Sequence, residues 1–188
     1  MRTILGTQSA ARRLLFARLA PVFETLSADI DEQAIRSDDP LLLPLLLARA
    51  KVDALVPRVG GDALLVTFDQ VVTCGGELRE KPASSDQARV WLESCAAHPA
   101  QTNTAVVVHN TATGARAEGL DVARVYFRPI PKEIIALLIQ EGGVLRAAGG
   151  FLVEDSRFQP FIDRIEGETE SVMGLPIALT SRLMRQCA

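Results

Sequence analysis

Only three of the chain's 20 basic residues are lysine, at Lys51, Lys81 and Lys132; the others are arginine. Lysine is a compact point charge that sits on a phosphate or a metal-bound oxygen where a planar fork fits poorly. Lys81 lies in Glu80-Lys81-Pro82, shortly after the run Thr67-Phe68-Asp69-Gln70-Val71-Val72. The pattern predicts an apolar strand that carries Asp69 to its C-terminal end. A glycine turn, Gly75-Gly76, then returns Lys81 toward it. A carboxylate so placed can bind a metal or take a proton from water, or simply cap a turn. With a lysine nearby it reads as part of a phosphate-handling site. Gln70 offers both a donor and an acceptor, which suits a nucleobase edge. It alternates to the other side of the strand, or turns inward if the strand breaks there.

Four further segments carry candidate chemistry. Gly6-Thr7-Gln8-Ser9-Ala10-Ala11-Arg12-Arg13 reads as a strand end passing into a helix. Unsatisfied N–H groups at such a start favour anions. Arg12 and Arg13 in the first turn oppose the helix dipole, at about 0.3–1 kcal/mol each. That cost makes sense if Ser9, Arg12 and Arg13 hold a phosphate; otherwise the arginines are solvated or paired to acids. Asp29-Ile30-Asp31-Glu32 packs three carboxylates together, either around a divalent ion or as a solvated loop. Lys51 falls on an apolar helix, so its ammonium needs an anion or must snorkel to water. In Ala147-Ala148-Gly149-Gly150-Phe151-Leu152-Val153-Glu154-Asp155, small residues permit close backbone approach. Glu154 then faces a pocket, or is a solvated acid after a glycine bulge.

The elements that must position these residues follow from periodicity and breakers. Strands are predicted at residues 3–6, 21–26, 63–72, 102–109 and 116–127, with a short return at 77–79 and a short or bulged strand at 149–153. Helices are predicted at 10–19, 41–56, 87–94 (capped by Ser84-Ser85-Asp86), 131–140 and 176–186. Pro44 falls in the first turn of its helix, where proline is tolerated. Residues 29–39 read as loop. The interleaving makes the chain α/β or α+β with a sheet that is not purely parallel.

The 188 residues can form one core, or two lobes sharing it. Hydrophobic residues make up 48% and charged residues 23%, ordinary for a globular protein. A net charge of −3 argues against binding a nucleic-acid polymer, which needs a basic face. No apolar run reaches the roughly 20 residues that span a bilayer, so no membrane association is expected. The N-terminal apolar run is too short for a signal peptide. Three scattered cysteines fit reduced thiols in a cytoplasmic setting. His98 and His109, the only histidines, have no metal-spaced neighbours. There is no phosphate loop, dinucleotide fingerprint or nucleophile elbow.

The order of the blocks carries a resemblance. Ser-x-x-Arg-Arg, an Asp-Glu loop, Ala-x-x-Lys, Phe-Asp-Gln-Val-Val, Glu-Lys-Pro, Ala-Gly-Gly-Phe and Gly-Leu-Pro fall in sequence from about Thr3 to Leu183. Together they resemble the Maf family of nucleoside triphosphate pyrophosphatases, named for septum formation inhibition. The resemblance implies one Maf-like domain over residues 1–188. Its fold would be the elongated, two-lobed α/β architecture of inosine triphosphatases (HAM1-like), with a mixed sheet and a central cleft. It implies Asp69, Lys81, Lys51 and Glu32 as catalytic residues, Ser9, Arg12 and Arg13 on the phosphates, and Asp69 and Glu32 at a divalent ion such as Mg²⁺ or Mn²⁺. A homodimer is compatible with it.

Ala11, Gln70 and Glu154 stand where the resemblance places base selection. Asp69-Gln70 and Glu154 match members acting on 7-methyl-GTP, whereas dTTP/UTP members carry Asp-Thr at the first place. A carboxylate accepts from the guanine N1–H and N2–H₂ edge and offsets the charge of a 7-methylated ring. Ala10 replaces the family's usual proline, Thr7 its usual serine, and Ala11 a tryptophan, so Ala11 cannot stack on a base. The alternatives are a dTTP/UTP pyrophosphatase, or a weakly catalytic nucleotide-binding regulator of cell division.

Overall fold

The computed structural model describes residues 1–188. The strands are β1 (Arg2–Gly6), β2 (Glu24–Thr25), β3 (Ala63–Cys74), β4 (Glu77–Arg79), β5 (Ala100–Asn110), β6 (Arg116–Phe127) and β7 (Ile162–Glu166). The helices are α1 (Ala10–Phe16), α2 (Leu42–Leu55), α3 (Ser85–Ser94), α4 (Lys132–Glu141), α5 (Thr169–Val172) and α6 (Ile177–Cys187). The sheet order is β2-β1-β3-β5-β6-β7, with β4 added on β3. β1 pairs parallel with both β2 and β3, whereas β3–β4 and β6–β7 are antiparallel. The expected mixed α/β sheet is present.

The chain divides into two compact units. The first holds residues 1–70, 104–121 and 174–188; the second holds 71–103 and 122–173. In the first, β1 and the start of β3 align from Arg2↔Ala63 to Gly6↔Thr67. One sheet face packs Ile4, Leu65, Ala105 and Val107 on Ala48, Val52 and Leu55 of α2. Thr67 Oγ1 donates to the Ala48 carbonyl of α2 at 2.8 Å. Phe68, one residue on, meets Phe16 of α1 edge to face at 6.5 Å between centroids. Alternation along β3 therefore sends odd positions to α2 and even positions to α1.

The second unit has its own core, in which Val72, Leu92, Phe127, Ile135, Leu138, Phe151 and Phe158 are buried together. Ser84 caps α3, accepting from Gln87 N at 3.1 Å, and Gln87 Oε1 accepts in turn from Ala83 N at 2.7 Å. Gly142 ends α4 in the left-handed region with φ 73°.

Several expectations change: the strand predicted at 21–26 shortens to Glu24–Thr25, and α5 has no predicted counterpart. The strand predicted at 149–153 is instead a 3-10 turn, Ala148–Gly150, because Gly149 and Gly150 both take positive φ (73° and 75°) and cannot continue an extended chain. A β-carbon on Gly149 would lie 2.8 Å from Val72 Cγ1, so the turn depends on glycine there. The helix predicted at 10–19 stops at Phe16. Finally, β7 is a strand that no expectation covers, since Asp163, Arg164 and Glu166 mask any apolar alternation on this exposed segment.

Candidate active site

Asp69 projects to the α2 side from the middle of β3 and not from its C-terminal end as expected, because pairing with β4 extends the strand to Cys74. Its residue is 7% exposed. Lys51, from α2, gives its ammonium to Asp69 Oδ2 and lies 2.8 Å from Glu32 Oε1. The Lys51 and Asp69 side chains are 12% and 11% exposed, whereas Glu32 is 53% exposed. The second Asp69 oxygen, Oδ1, accepts from the Gln70 N–H at 2.8 Å. Glu32 opens a 3-10 turn, Glu32–Ala34, that Asp31 caps through its carboxylate to Gln33 N at 3.0 Å. The acidic segment is thus locally structured, and one of its carboxylates reaches the lysine.

Arg12 adds the second cation. Its Nε donates to the Gly174 carbonyl at 2.9 Å, and its guanidinium lies 6.0 Å from the centre of the Phe68 ring. Burial pushes its pKa down, while the charges of Asp69 and Glu32 work in the other direction. No carboxylate pairs with it directly, and its Nη nitrogens have no protein hydrogen bond. A desolvated guanidinium with an open fork is suited to a bidentate anion.

Ser9 is the N-cap of α1, its Oγ accepting from Arg12 N at 3.3 Å. The hydroxyl can still donate its proton. Arg13 and Ala10 are exposed, and Ala11 is half-buried. Gln70 continues the strand and points to the α1 side, where its Nε2 donates to Thr104 Oγ1 at 2.8 Å. Thr104 is fully buried on β5.

The first unit therefore brings together Glu32, Lys51, Asp69 and Arg12, with Gln70 on the opposite face of the same strand. Lys81 and Glu154 belong to the second unit, and both are exposed there. Near Lys81 the chain is fixed by its neighbours: the Glu80 carbonyl accepts from Gly149 N at 3.0 Å, and Pro82 is buried. Glu154 follows the glycine turn rather than a strand. Sequence reasoning did not single out Thr104, whose buried hydroxyl looks like any strand threonine. It also missed Gly174 as a partner of Arg12, although the Gly-Leu-Pro block was visible.

As a donor set, Glu32 and Asp69 offer two hard carboxylates at one point. Mg²⁺ is commonly held by one or two carboxylates, with water and substrate phosphate completing its shell. No three His, Cys, Asp or Glu side chains gather into a closed cage. The residues fit an ion that is shared with a substrate, not one fully enclosed by protein.

The chain matches the family described as Maf-like protein over residues 2–187. It is 40% identical to the 7-methyl-GTP pyrophosphatase of Dictyostelium discoideum, covering 97% of this chain and 95% of that protein. It is 33% identical to a nucleoside triphosphate pyrophosphatase of Streptomyces coelicolor, covering 97% and 89%. Identity to the dTTP/UTP pyrophosphatase of Anaeromyxobacter dehalogenans is 32%, with 98% and 93% covered. On this evidence of sequence the chain belongs to the Maf family.

Proposed function

We propose that this chain is a nucleoside triphosphate pyrophosphatase acting on 7-methyl-GTP. The reaction consumes water and releases 7-methyl-GMP and pyrophosphate. Water attacks the α-phosphorus, the bond to the α–β bridging oxygen breaks, and pyrophosphate leaves with that oxygen. Asp69 accepts the proton of the attacking water. Lys51 pairs with Asp69 and orients its carboxylate, and Arg12 takes charge developing on the phosphates, the kind of fixed electrostatic stabilisation that lowers such barriers. Ser9 and Arg13 join Arg12 in this phosphate-binding role. A divalent ion bound by Asp69 and Glu32 would supply further neutralisation of phosphate charge. Lys81 and Glu154 enter through the family resemblance, as a phosphate contact and a base-selecting carboxylate.

The observation that carries the reading is the buried Lys51–Asp69 pair beside an arginine with an open fork. The choice of 7-methyl-GTP is supported by the 40% identical relative and by the Asp69-Gln70 and Glu154 pattern. No helix is long and apolar enough to cross a membrane, and the three cysteines are free. Free thiols support a reducing, cytoplasmic location.

The test is pyrophosphate release from 7-methyl-GTP, GTP, dTTP and UTP with Mg²⁺ or Mn²⁺. The expected result is fastest turnover of 7-methyl-GTP. Asp69→Asn should lower the rate about 10²–10⁴-fold, the usual contribution of a positioned base. Faster turnover of dTTP or UTP would refute the substrate, and no release from any of the four would refute the reaction. Nucleotide-dependent thermal stabilisation without turnover would favour a binding regulator instead.

A further inference from the structure

Gly174 lies far from α1 in sequence, yet it touches the guanidinium of Arg12, whose Nε bonds a backbone carbonyl and not a carboxylate. Its backbone φ is +93°, a region that side-chain-bearing residues rarely adopt. A β-carbon built there would fall 2.9 Å from Arg12 Nε and 3.1 Å from Arg12 Nη2. The same residue's carbonyl accepts the Arg12 Nε–H at 2.9 Å. Gly174 thus does two things at once: it vacates the space the guanidinium occupies, and it anchors the one nitrogen that is not part of the fork. Phe68 lies beside the guanidinium, 6.0 Å from ring centre to Cζ.

The consequence is directional. An arginine on an exposed helix turn samples many rotamers, and ordering it on substrate binding carries an entropic cost. Arg12 is held by its Nε and stacked near a buried ring, so its Nη pair is oriented before any ligand arrives. We infer that Gly174 is a positioning residue for the reaction, fixing Arg12 so that its Nη pair meets the substrate's phosphate oxygens. This rests on the phosphate role of Arg12 proposed above. The element that delivers Gly174 is the segment preceding α6. The Gly-Leu-Pro block then has a job in ligand binding, in addition to starting that helix.

A double-mutant cycle tests it, using Gly174→Ala, Arg12→Ala and the double variant, with KM and kcat measured on 7-methyl-GTP. Each single change should raise KM by about ten- to a hundredfold, the range for a lost hydrogen bond to a charged group. The double variant should be no worse than Arg12→Ala, because Gly174 acts only through that arginine. Losses that multiply would show an independent structural role and overturn the inference. Arg12→Lys serves if Gly174→Ala does not fold. It keeps the charge but has no Nε–H for the carbonyl, so its KM should rise almost as far as that of Arg12→Ala. A wild-type KM for Arg12→Lys would also overturn the inference. Wild-type protein that releases no pyrophosphate at all would remove the functional reading and this inference with it. Active wild type with multiplying losses removes the inference alone.

Discussion

Lys51→Met asks how much the buried ammonium is worth to the fold. Methionine preserves the stem and deletes the charge. Two carboxylates then face each other without a cation, but they are not equally trapped. Glu32 is half exposed and can turn to water, whereas the Asp69 side chain is 11% exposed and lies within a buried strand. The cost is therefore that of one uncompensated carboxylate, eased by the hydrogen bond that Asp69 Oδ1 accepts from Gln70 N. Breaking a buried pair by removing one partner costs about 3–5 kcal/mol, and the remaining hydrogen bond places this site near about 3. For a chain of this size that is a fall in Tm of about 6–12 °C. Thermal unfolding without nucleotide measures it. Adding Asp69→Asn should recover roughly half of the loss, because a neutral amide needs no counter-charge. A Lys51→Met protein melting within about 2 °C of wild type, or a double variant with summed losses, would refute the reasoning.

Two further outcomes are expected. Arg49 donates two hydrogen bonds to Glu118, which holds that carboxyl below the ordinary glutamate range. A depressed folded pKa stabilises the protein at pH values above the unfolded one and is lost as pH falls through the folded one. Denaturant unfolding of Glu118→Gln should therefore show a smaller loss of stability than wild type below about pH 4.3. The effect at neutral pH should stay below about 1 kcal/mol, since both groups are about a third exposed; a larger effect would contradict this account. The second concerns the thiols. Hydrogen bonding from Cys95 and the charge of Arg79 lower the Cys74 pKa, while Cys95 is raised. Alkylation followed by peptide mass spectrometry should find Cys74 modified before Cys95 as pH rises from 6 to 9, about the range in which thiols ionise. Earlier labelling of Cys95 would reverse that assignment.

The sequence displayed the parts of the site that consist of charge and missed those that consist of geometry. Asp69, Lys51 and Glu32 were legible because a lysine on an apolar helix and a carboxylate on an apolar strand each demand a partner. Which acid Lys51 would meet was not legible, since strand and helix register fix that contact. Arg12 and Arg13 looked equivalent by spacing. The structure separates them: one is half-buried and anchored by Gly174, and the other points outward. The cap that Ser9 Oγ forms on α1 is a geometric duty that its place in the Ser-x-x-Arg-Arg block does not display. Most strands were legible from alternation and β-branched content, and β4 was assigned at Glu77–Arg79 as observed. The strand at 149–153 was not, because paired glycines leave open whether the chain bulges or turns.

Because β3 alternates, Asp69 and Gln70 share a backbone but lead separate lives. Asp69 answers to Lys51 and α2, while Gln70 answers to Thr104 and the opposite layer. An exchange at the even position alters the contact with Thr104 without touching the ion pair behind it. One strand can in this way change its partner on one layer while the pair on the other layer stays as it is. A deletion of one residue upstream of Asp69 would trade the two roles and abolish both.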